Sequence, residues 1–595
     1  MSMSRREFVR LMGLAGAAGL VPSSVFADRR QPSELYEVPK FGNVSILHIT
    51  DTHAQLNPIY FREPNVNLGI GQALGRPPHL VGHKLLDHFG IEPGGIEAHA
   101  FTYLDFEEAA ARYGKVGGFA HLKTLVDRIR DARGPGNSLL LDGGDTWQGS
   151  GTAYFTRGKD MVGACNLLGV DVMTGHWEFT YTEAEVIANI QQFKGDFVAQ
   201  NVQVRDEALF DYRFADFEDF DEDSGLAFKP YVIKEVGGAR VAVIGQAFPY
   251  TPIANPQRFI PDWTFGIRDE KMQEIVDSVR ENEKPDVVVV ISHNGMDVDL
   301  KMASVVSGID VIFGGHTHDG VPAPSVVKNR GGKTLVTNAG SNGKFLGVMD
   351  LDVRNGKVRD FRYRLLPVFS NLLPADKAMQ KYIDEVRAPY KDKLDEKLAV
   401  AGETLYRRGN FNGTFDQVIC DALRNVEDAQ ISLSPGFRWG TTVLPGQDIT
   451  MDNVLDQTCI TYPETYRREM TGQEIKNILE DVCDNLFNRD PYYQQGGDMV
   501  RVGGLDYVCD PTQTIGKRIG DMQLDDGTPI DPNKKYVVAG WATVGSKSPG
   551  RPVWEVVADY LRLKGTVKIE KLNTPKLVNV AGNPGIADYP GQILG

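Results

Sequence analysis

The sequence predicts an α/β protein of more than one domain, and three observations lead there. Apolar, β-rich runs alternate with helically spaced segments along most of the chain. Several of those runs are continuous rather than alternating, as in strands covered on both faces of a sheet. With 595 residues, 42% of them apolar and 24% charged, the chain holds two or three domains, each large enough to bury a core. A formal charge of −15 repels polyanions and excludes a broad nucleic-acid footprint. Five cysteines, Cys165, Cys420, Cys459, Cys483 and Cys509, lie far apart without CxxC pairing, so no zinc ribbon or disulfide framework is signalled.

Taken in order, residues 1–27 read as an export signal. Arg5-Arg6 stand in a basic opening, a Gly/Ala-rich apolar stretch follows, and small residues end at Ala27. The paired arginines match the twin-arginine type, which implies a periplasmic protein. No other stretch reaches the roughly 18 uncharged apolar residues of a membrane span. Strands are expected at 44–50, 138–142, 170–174, 231–245, 287–292, 309–313, 335–338 and 346–353. Phe119, Leu122, Leu125, Val126 and Ile129 recur at helical spacing up to Arg133-Gly134-Pro135, a helix stop. The first domain is expected over 44–368, followed by a helical linker, 369–397, and a second α/β domain, 398–585, with helices at 415–426 and 471–486. An insertion, 55–113, rich in Pro, Gly, His and aromatics, reads as a loop whose His79, His83, His88 and His99 are surface residues rather than a further metal site; its alternative role is to shape an entrance channel for a carrier's cysteine arm.

Chemistry is concentrated where histidines and aspartates follow strands. Asp51-Thr52-His53, Gly143-Gly144-Asp145, Gly175-His176-Trp177-Glu178, Ser292-His293-Asn294 and Gly314-Gly315-His316-Thr317-His318 each close a predicted strand. Carboxyl ends of strands in α/β sheets line a common crevice, so five such loops converge on one site. Glycines beside nearly every candidate let the backbone turn tightly around an ion.

This ordered set resembles the calcineurin-like metallophosphoesterases, and with the following domain it is similar to the 5′-nucleotidase family over nearly all of residues 44–585. The resemblance implies a four-layer α/β/β/α catalytic domain and a smaller C-terminal α/β domain. It also implies a dinuclear metal centre in which Asp51, His53, Asp145 and His318 hold one ion and Asp145, His176, His293 and His316 the other. Asp145 would bridge, and the ion pair would clamp a hydroxide for in-line attack. Mixed imidazole and carboxylate ligands fit Mn²⁺, Fe²⁺, Co²⁺ or Zn²⁺.

The family pattern breaks at the third motif. Phosphate-ester hydrolases of the family read Gly-Asn-His-Glu-Phe-Asp there, with the His and Asp forming a catalytic dyad. Here His176 stands at the Asn position, Trp177 replaces the dyad His and Thr180 replaces the dyad Asp. An alkoxide leaves with difficulty and benefits from a proton donor, whereas a thiolate departs without one. The run Gly175 to Thr180 resembles the thiosulfohydrolases of the bacterial sulfur-oxidising (Sox) pathway. That resemblance implies hydrolysis of a cysteine S-thiosulfonate on a SoxYZ-like carrier, release of sulfate and two Mn²⁺ ions. The chain is expected to be a monomer. Trp177 and Thr180 are then candidates for shaping the reaction.

In the second domain the nucleotidase Asn-Gly-Gly-x-Arg run is Ser434-Pro435-Gly436-Phe437-Arg438-Trp439 here, which keeps Arg438 as an anion contact. Arg407 and Asn412 are further anion-contact candidates, or an exposed turn. Two rival readings remain: a periplasmic nucleotidase or phosphodiesterase with an altered dyad, and a metal-binding partner without catalysis.

Overall fold

A computed structural model describes residues 34–545 and 547–594 of the chain; the export signal lies outside them. Two six-stranded sheets form the first domain. One runs in the order Lys357–Pro367, Phe345–Arg354, Val44–Ile49, Ser138–Asp142, Val172–Met173, Asp196–Phe197. The other runs Ser325–Asn329, Gly332–Asn338, Val311–Gly314, Val287–Ser292, Ala239–Gln246, Tyr231–Val236. In the first, the strands from Val44–Ile49 to Asp196–Phe197 are parallel and the hairpin of Phe345–Arg354 with Lys357–Pro367 joins them antiparallel at one edge; in the second, the four inner strands are parallel and a hairpin closes each edge.

The continuous apolar runs account for the layering. In Val287–Ser292, Val287, Val289 and Ile291 join the core between the sheets. Val288 and Val290 join an outer core with Met272, Val276, Met302 and Ala303, which belong to the helices Asp269–Ser278 and Met296–Val305. Because side chains alternate across a strand, an all-apolar run demands cover on both faces. The outer face of the first sheet is covered by Phe119–Arg133, which buries the five residues that mark its helical spacing, and by Lys159–Leu168. The four layers α/β/β/α follow.

Local chemistry explains where the strands differ from expectation. The run 231–245 is a hairpin, because Gly237 and Gly238 take φ of 59° and 76° between its two strands. Lys357–Pro367 was not expected, since its Lys357, Arg359, Asp360 and Arg362 face solvent; the signal for it is the Asn355-Gly356 turn, with φ of 53° and 70°. The helical stretch after the first domain is no free spacer. Lys377–Arg387 places Met379 and Ile383 in the first core. The chain breaks at Pro389 and resumes in a short helix, Lys391–Leu394, whose Leu394 enters the second core.

The insertion is ordered. It carries the helices His83–Phe89, Ile96–Phe101 and Phe106–Tyr113, and Leu86, Ile96, Ala98 and Phe101 join the first core. His83 and His88 are exposed, but His99 is buried against Phe106, Tyr113 and Phe369. His79 pairs with Asp297 at 2.9 Å. Two of the four histidines are therefore not surface groups.

The second domain is built on the sheet Thr465–Thr471, Lys535–Trp541, Ile431–Ser434, Arg501–Gly503, flanked by Thr414–Val426 and Gly472–Phe487. The latter helix starts at a capping box between Thr471 and Glu474. A further sheet orders Ile519–Leu524, Leu505–Cys509, Lys576–Val578 and Ile593–Leu594. No helix among the described residues is long and apolar enough to cross a membrane.

Candidate metal centre

Five strands deliver the chemistry. Val44–Ile49, Ser138–Asp142 and Val172–Met173 end together in one sheet, with Ile49 opposite Asp142 and Asp142 opposite Met173. Val287–Ser292 and Val311–Gly314 end together in the other, with Ser292 opposite Gly314. Two buried clusters result, Asp145 with His176, His293 and His316, and Asp51 with His53, Asp145 and His318; within each the ligand atoms lie within 4.8 Å of one another. Asp145 belongs to both. All seven residues singled out by the five motifs meet here.

The backbone is held in an unusual state to achieve this. Asp51, His53, Asp145, His316 and His318 have φ of 51°, 46°, 58°, 73° and 59°, the left-handed region that costs a non-glycine residue about 1 kcal/mol or more. A lattice of main-chain bonds maintains it: Asp51 N–H donates to Gly144 O at 2.8 Å and His53 N–H to Asp145 O at 2.8 Å. His316 N–H donates to the Asp51 carboxylate at 3.0 Å.

Glu178 contributes more than sequence reasoning assigned to it. Its buried carboxylate accepts from the backbone N–H groups of Asp145, Thr146, Trp147 and His176 at 2.7–3.1 Å, so one side chain ties the second motif to the third. Burial, and then Asp145, raise its pKa; the four donors oppose that by favouring the anion. Its place inside the third motif was the available signal. Glu178→Ala is expected to leave buried N–H groups unpaired at about 1–3 kcal/mol each, lowering metal content and melting temperature together. Elemental analysis and a thermal melt check this, and normal metal content would disprove the tie.

Charge at the site suits cations. His293 donates Nδ1–H to Gly143 O at 2.6 Å, which turns Nε2 toward Asp145 Oδ2 at 3.1 Å and Asp51 Oδ1 at 3.6 Å. Burial disfavours charge on His293, but Asp145 and Asp51 outweigh it and raise its pKa to about 10. Burial holds His53 at about 4 and keeps His316 and His318 well below the usual range. Neutral imidazoles are the form that ligates a metal. Buried Nε2 atoms of His176 and His316 lack hydrogen-bond partners, and Nε2 of His53 and His318 face each other at 3.0 Å. These imidazole nitrogens around two carboxylates fit two divalent ions, which would take the place of the proton on His293.

The second domain closes over the centre. Trp439 packs 5.4 Å from the His53 ring and stacks on Phe437 at 4.0 Å. Trp177 meets Phe437 and Trp439 edge-on at 5.5 and 5.3 Å and belongs to the second domain's core. Thr180 is buried, its hydroxyl 2.6 Å from that of Thr461, which donates to Thr180 O at 2.8 Å. Its hydroxyl is thus engaged across the domain boundary rather than free for substrate. Arg438 donates to His316 O at 3.3 Å and Gly497 O at 2.8 Å.

Arg407 and Asn412 are not anion contacts. Arg407 is buried against Asp416 at 2.7 Å and Gln457 O at 2.6 Å, and Asn412 bonds Gln417 and Val502. The neighbouring Arg408 lies nearer the metal ligands instead: it donates to Thr317 O at 2.8 Å, stands 3.7 Å from Asp319 and 3.8 Å from Asp498, and its Nε is buried without a hydrogen-bond partner. Arg408, Arg438, His316, Thr317 and His79 line a small cavity, open to solvent, between the insertion and the second domain.

Known proteins agree with this architecture. Residues 44–320 match the family model described as calcineurin-like phosphoesterase, and residues 397–555 that of the 5′-nucleotidase C-terminal domain. The solved sulfate thiohydrolase SoxB of Thermus thermophilus superposes with a TM-score of 0.83 at 36% identity, covering 91% of this chain and 97% of that one. The trifunctional nucleotide phosphoesterase YfkN of Bacillus subtilis is 28% identical over 479 residues, 73% of this chain; the match spans only 32% of that longer protein. The 5′-nucleotidase of Rattus norvegicus is 28% identical over 451 residues, 69% of this chain and 72% of that protein.

Proposed function

The chain belongs to the calcineurin-like phosphoesterase and 5′-nucleotidase family, on the branch represented by SoxB, and from that premise we propose that this hydrolase is a thiosulfohydrolase. Its substrate is a cysteine S-thiosulfonate on a carrier protein of the SoxYZ kind, outside the cytoplasm, and its products are sulfate and the carrier's sulfur anion. The supporting observation is the third motif. Where family phosphoesterases carry a His–Asp dyad, Trp177 is packed into an aromatic wall and Thr180 is bonded to Thr461. Neither offers a proton to a leaving group, which suits a sulfur leaving group with a parent pKa near about 8.5.

Two divalent ions, proposed to be Mn²⁺, would be held by Asp51, His53, Asp145, His176, His293, His316 and His318, and when bound would supply Lewis acidity and an activated water. The chain's own residues do the rest. Arg438 and Arg408 present cationic donors along the cavity and orient a tetrahedral sulfonate as they would a phosphate. Trp177, Phe437 and Trp439 form an apolar wall whose Trp439 stands beside His53, in place of a proton-donating dyad. Water adds its oxygen to the sulfonate sulfur, the S–S bond breaks, and the departing sulfur keeps the electron pair.

The test is sulfate and phosphate release by the Mn²⁺-loaded mature protein, comparing a carrier S-thiosulfonate with AMP. Sulfate with little phosphate is expected; phosphate without sulfate would replace this reading with that of a nucleotidase. Arg438→Ala is expected to lower kcat/KM about 10- to 100-fold, the value of a charged hydrogen bond, with two ions per chain retained. Equal loss of metal and activity would make Arg438 a structural residue.

A further inference from the structure

Two of the five cysteines lie together. Cys483 sits on the inner face of the helix Gly472–Phe487 and Cys509 ends the strand Leu505–Cys509. Both are completely buried, and their sulfurs are 3.7 Å apart. Cys165 and Cys420 lie on other helices and Cys459 just past the end of another. The two elements are otherwise well aligned. Glu480, one turn before Cys483, accepts from the backbone N–H groups of Gly516, Arg518 and Ile519 at 2.7, 3.2 and 2.8 Å. Ile519 is in turn the strand partner of Cys509. At 3.7 Å the two sulfurs are in van der Waals contact, and a bond requires them to close to about 2.05 Å.

We propose that Cys483 and Cys509 form an intramolecular disulfide that ties the helix to the sheet under oxidising conditions. The bond forms by thiol–disulfide exchange: a thiolate of the pair attacks a small-molecule disulfide such as oxidised glutathione and releases one thiol. The second cysteine then attacks the mixed disulfide and releases the other. The pair loses two electrons and two protons, and the oxidant becomes two thiols. Because both sulfurs are buried, exchange takes place during folding or on local opening.

The tie has a path to the cavity. Cys509 is also paired with Leu577 in Lys576–Val578, and the chain beyond runs onto the insertion. There Asn67 N–H donates to Gly585 O at 2.7 Å, Ala587 N–H to Asn65 O at 2.9 Å, and Asn583 to Gly69 O at 3.0 Å. Asn67 in turn donates to Asp319 at 3.1 Å, next to His318. A disulfide at 483–509 therefore stiffens the anchor of the strap that holds the insertion beside the metal centre.

The experiment takes the full-length metal-loaded protein in two preparations, one isolated without reductant and one refolded with oxidised glutathione, each compared with a dithiothreitol-treated sample. Peptide mapping after alkylation is expected to find residues 483 and 509 joined, a mass lower by about 2 Da, and the other three cysteines alkylated. Melting temperature and resistance of residues 576–594 to proteolysis should fall on reduction, and in Cys483→Ala/Cys509→Ala neither should respond to reductant. Five alkylated cysteines in both preparations would overturn the proposal, as would a melting shift of equal size in the double variant. None of these readouts depends on the substrate, so the proposal and the assigned reaction fail separately.

Discussion

Asp145→Ala is expected to empty both metal positions at once. Its carboxylate lies 3.1 Å from His293, 3.2 Å from His176 and 3.7 Å from His53, and it alone is common to both clusters. His176 and His293 draw its pKa well below the usual range against the opposing effect of burial, so it is anionic and ready for two cations. Removing it deletes one of only two carboxylates at the centre and leaves the Trp177 N–H, which donates to it at 2.7 Å, without an acceptor. Metal content should fall from two ions per chain to near zero after dialysis, and turnover by at least about a thousand-fold, the scale of several kcal/mol of transition-state stabilisation. Elemental analysis decides it: two ions retained would refute the bridge. Asp145→Asn, which keeps the shape but removes the charge, separates loss of ligand charge from loss of packing.

The second large effect concerns the missing dyad. Trp177→His with Thr180→Asp is expected to increase phosphate release from AMP by about 10²–10⁴, the range of a positioned general acid. The structure adds a cost. Trp177 is part of the second domain's core and Thr180 is bonded to Thr461, so the exchange should destabilise the protein by roughly 3–5 kcal/mol, as large-to-small changes at buried aromatics do. Trp177→Ala alone provides the control, with a similar loss of stability and no gain of phosphatase activity. A folded double variant with unchanged phosphate release would mean that something other than the dyad suppresses ester hydrolysis.

The clustering of the seven candidate ligands was legible because each follows a strand whose apolar run announces itself, and strands that pair in parallel end at one level. The layering was equally legible from continuous runs such as Val287–Ser292. Less was visible where packing decides. Arg407 and Arg408 are adjacent and chemically identical, yet Asp416 and Gln457 take the first into the core while Thr317 and the cavity receive the second. His79 and His99 lie in a segment of loop-like composition, but the insertion folds into helices that bury His99 and bring His79 to Asp297.

The sequence by itself determined the fold class, the five loops and their donor set, because periodicity and spacing are local properties of the chain. Only the tertiary structure decided that Glu178 ties two motifs together, that Trp177 belongs to the other domain's core, and that Cys483 meets Cys509 across 26 residues. Each depends on which surfaces of distant elements are pressed together, and that is set by the packing of the whole molecule rather than by any single stretch.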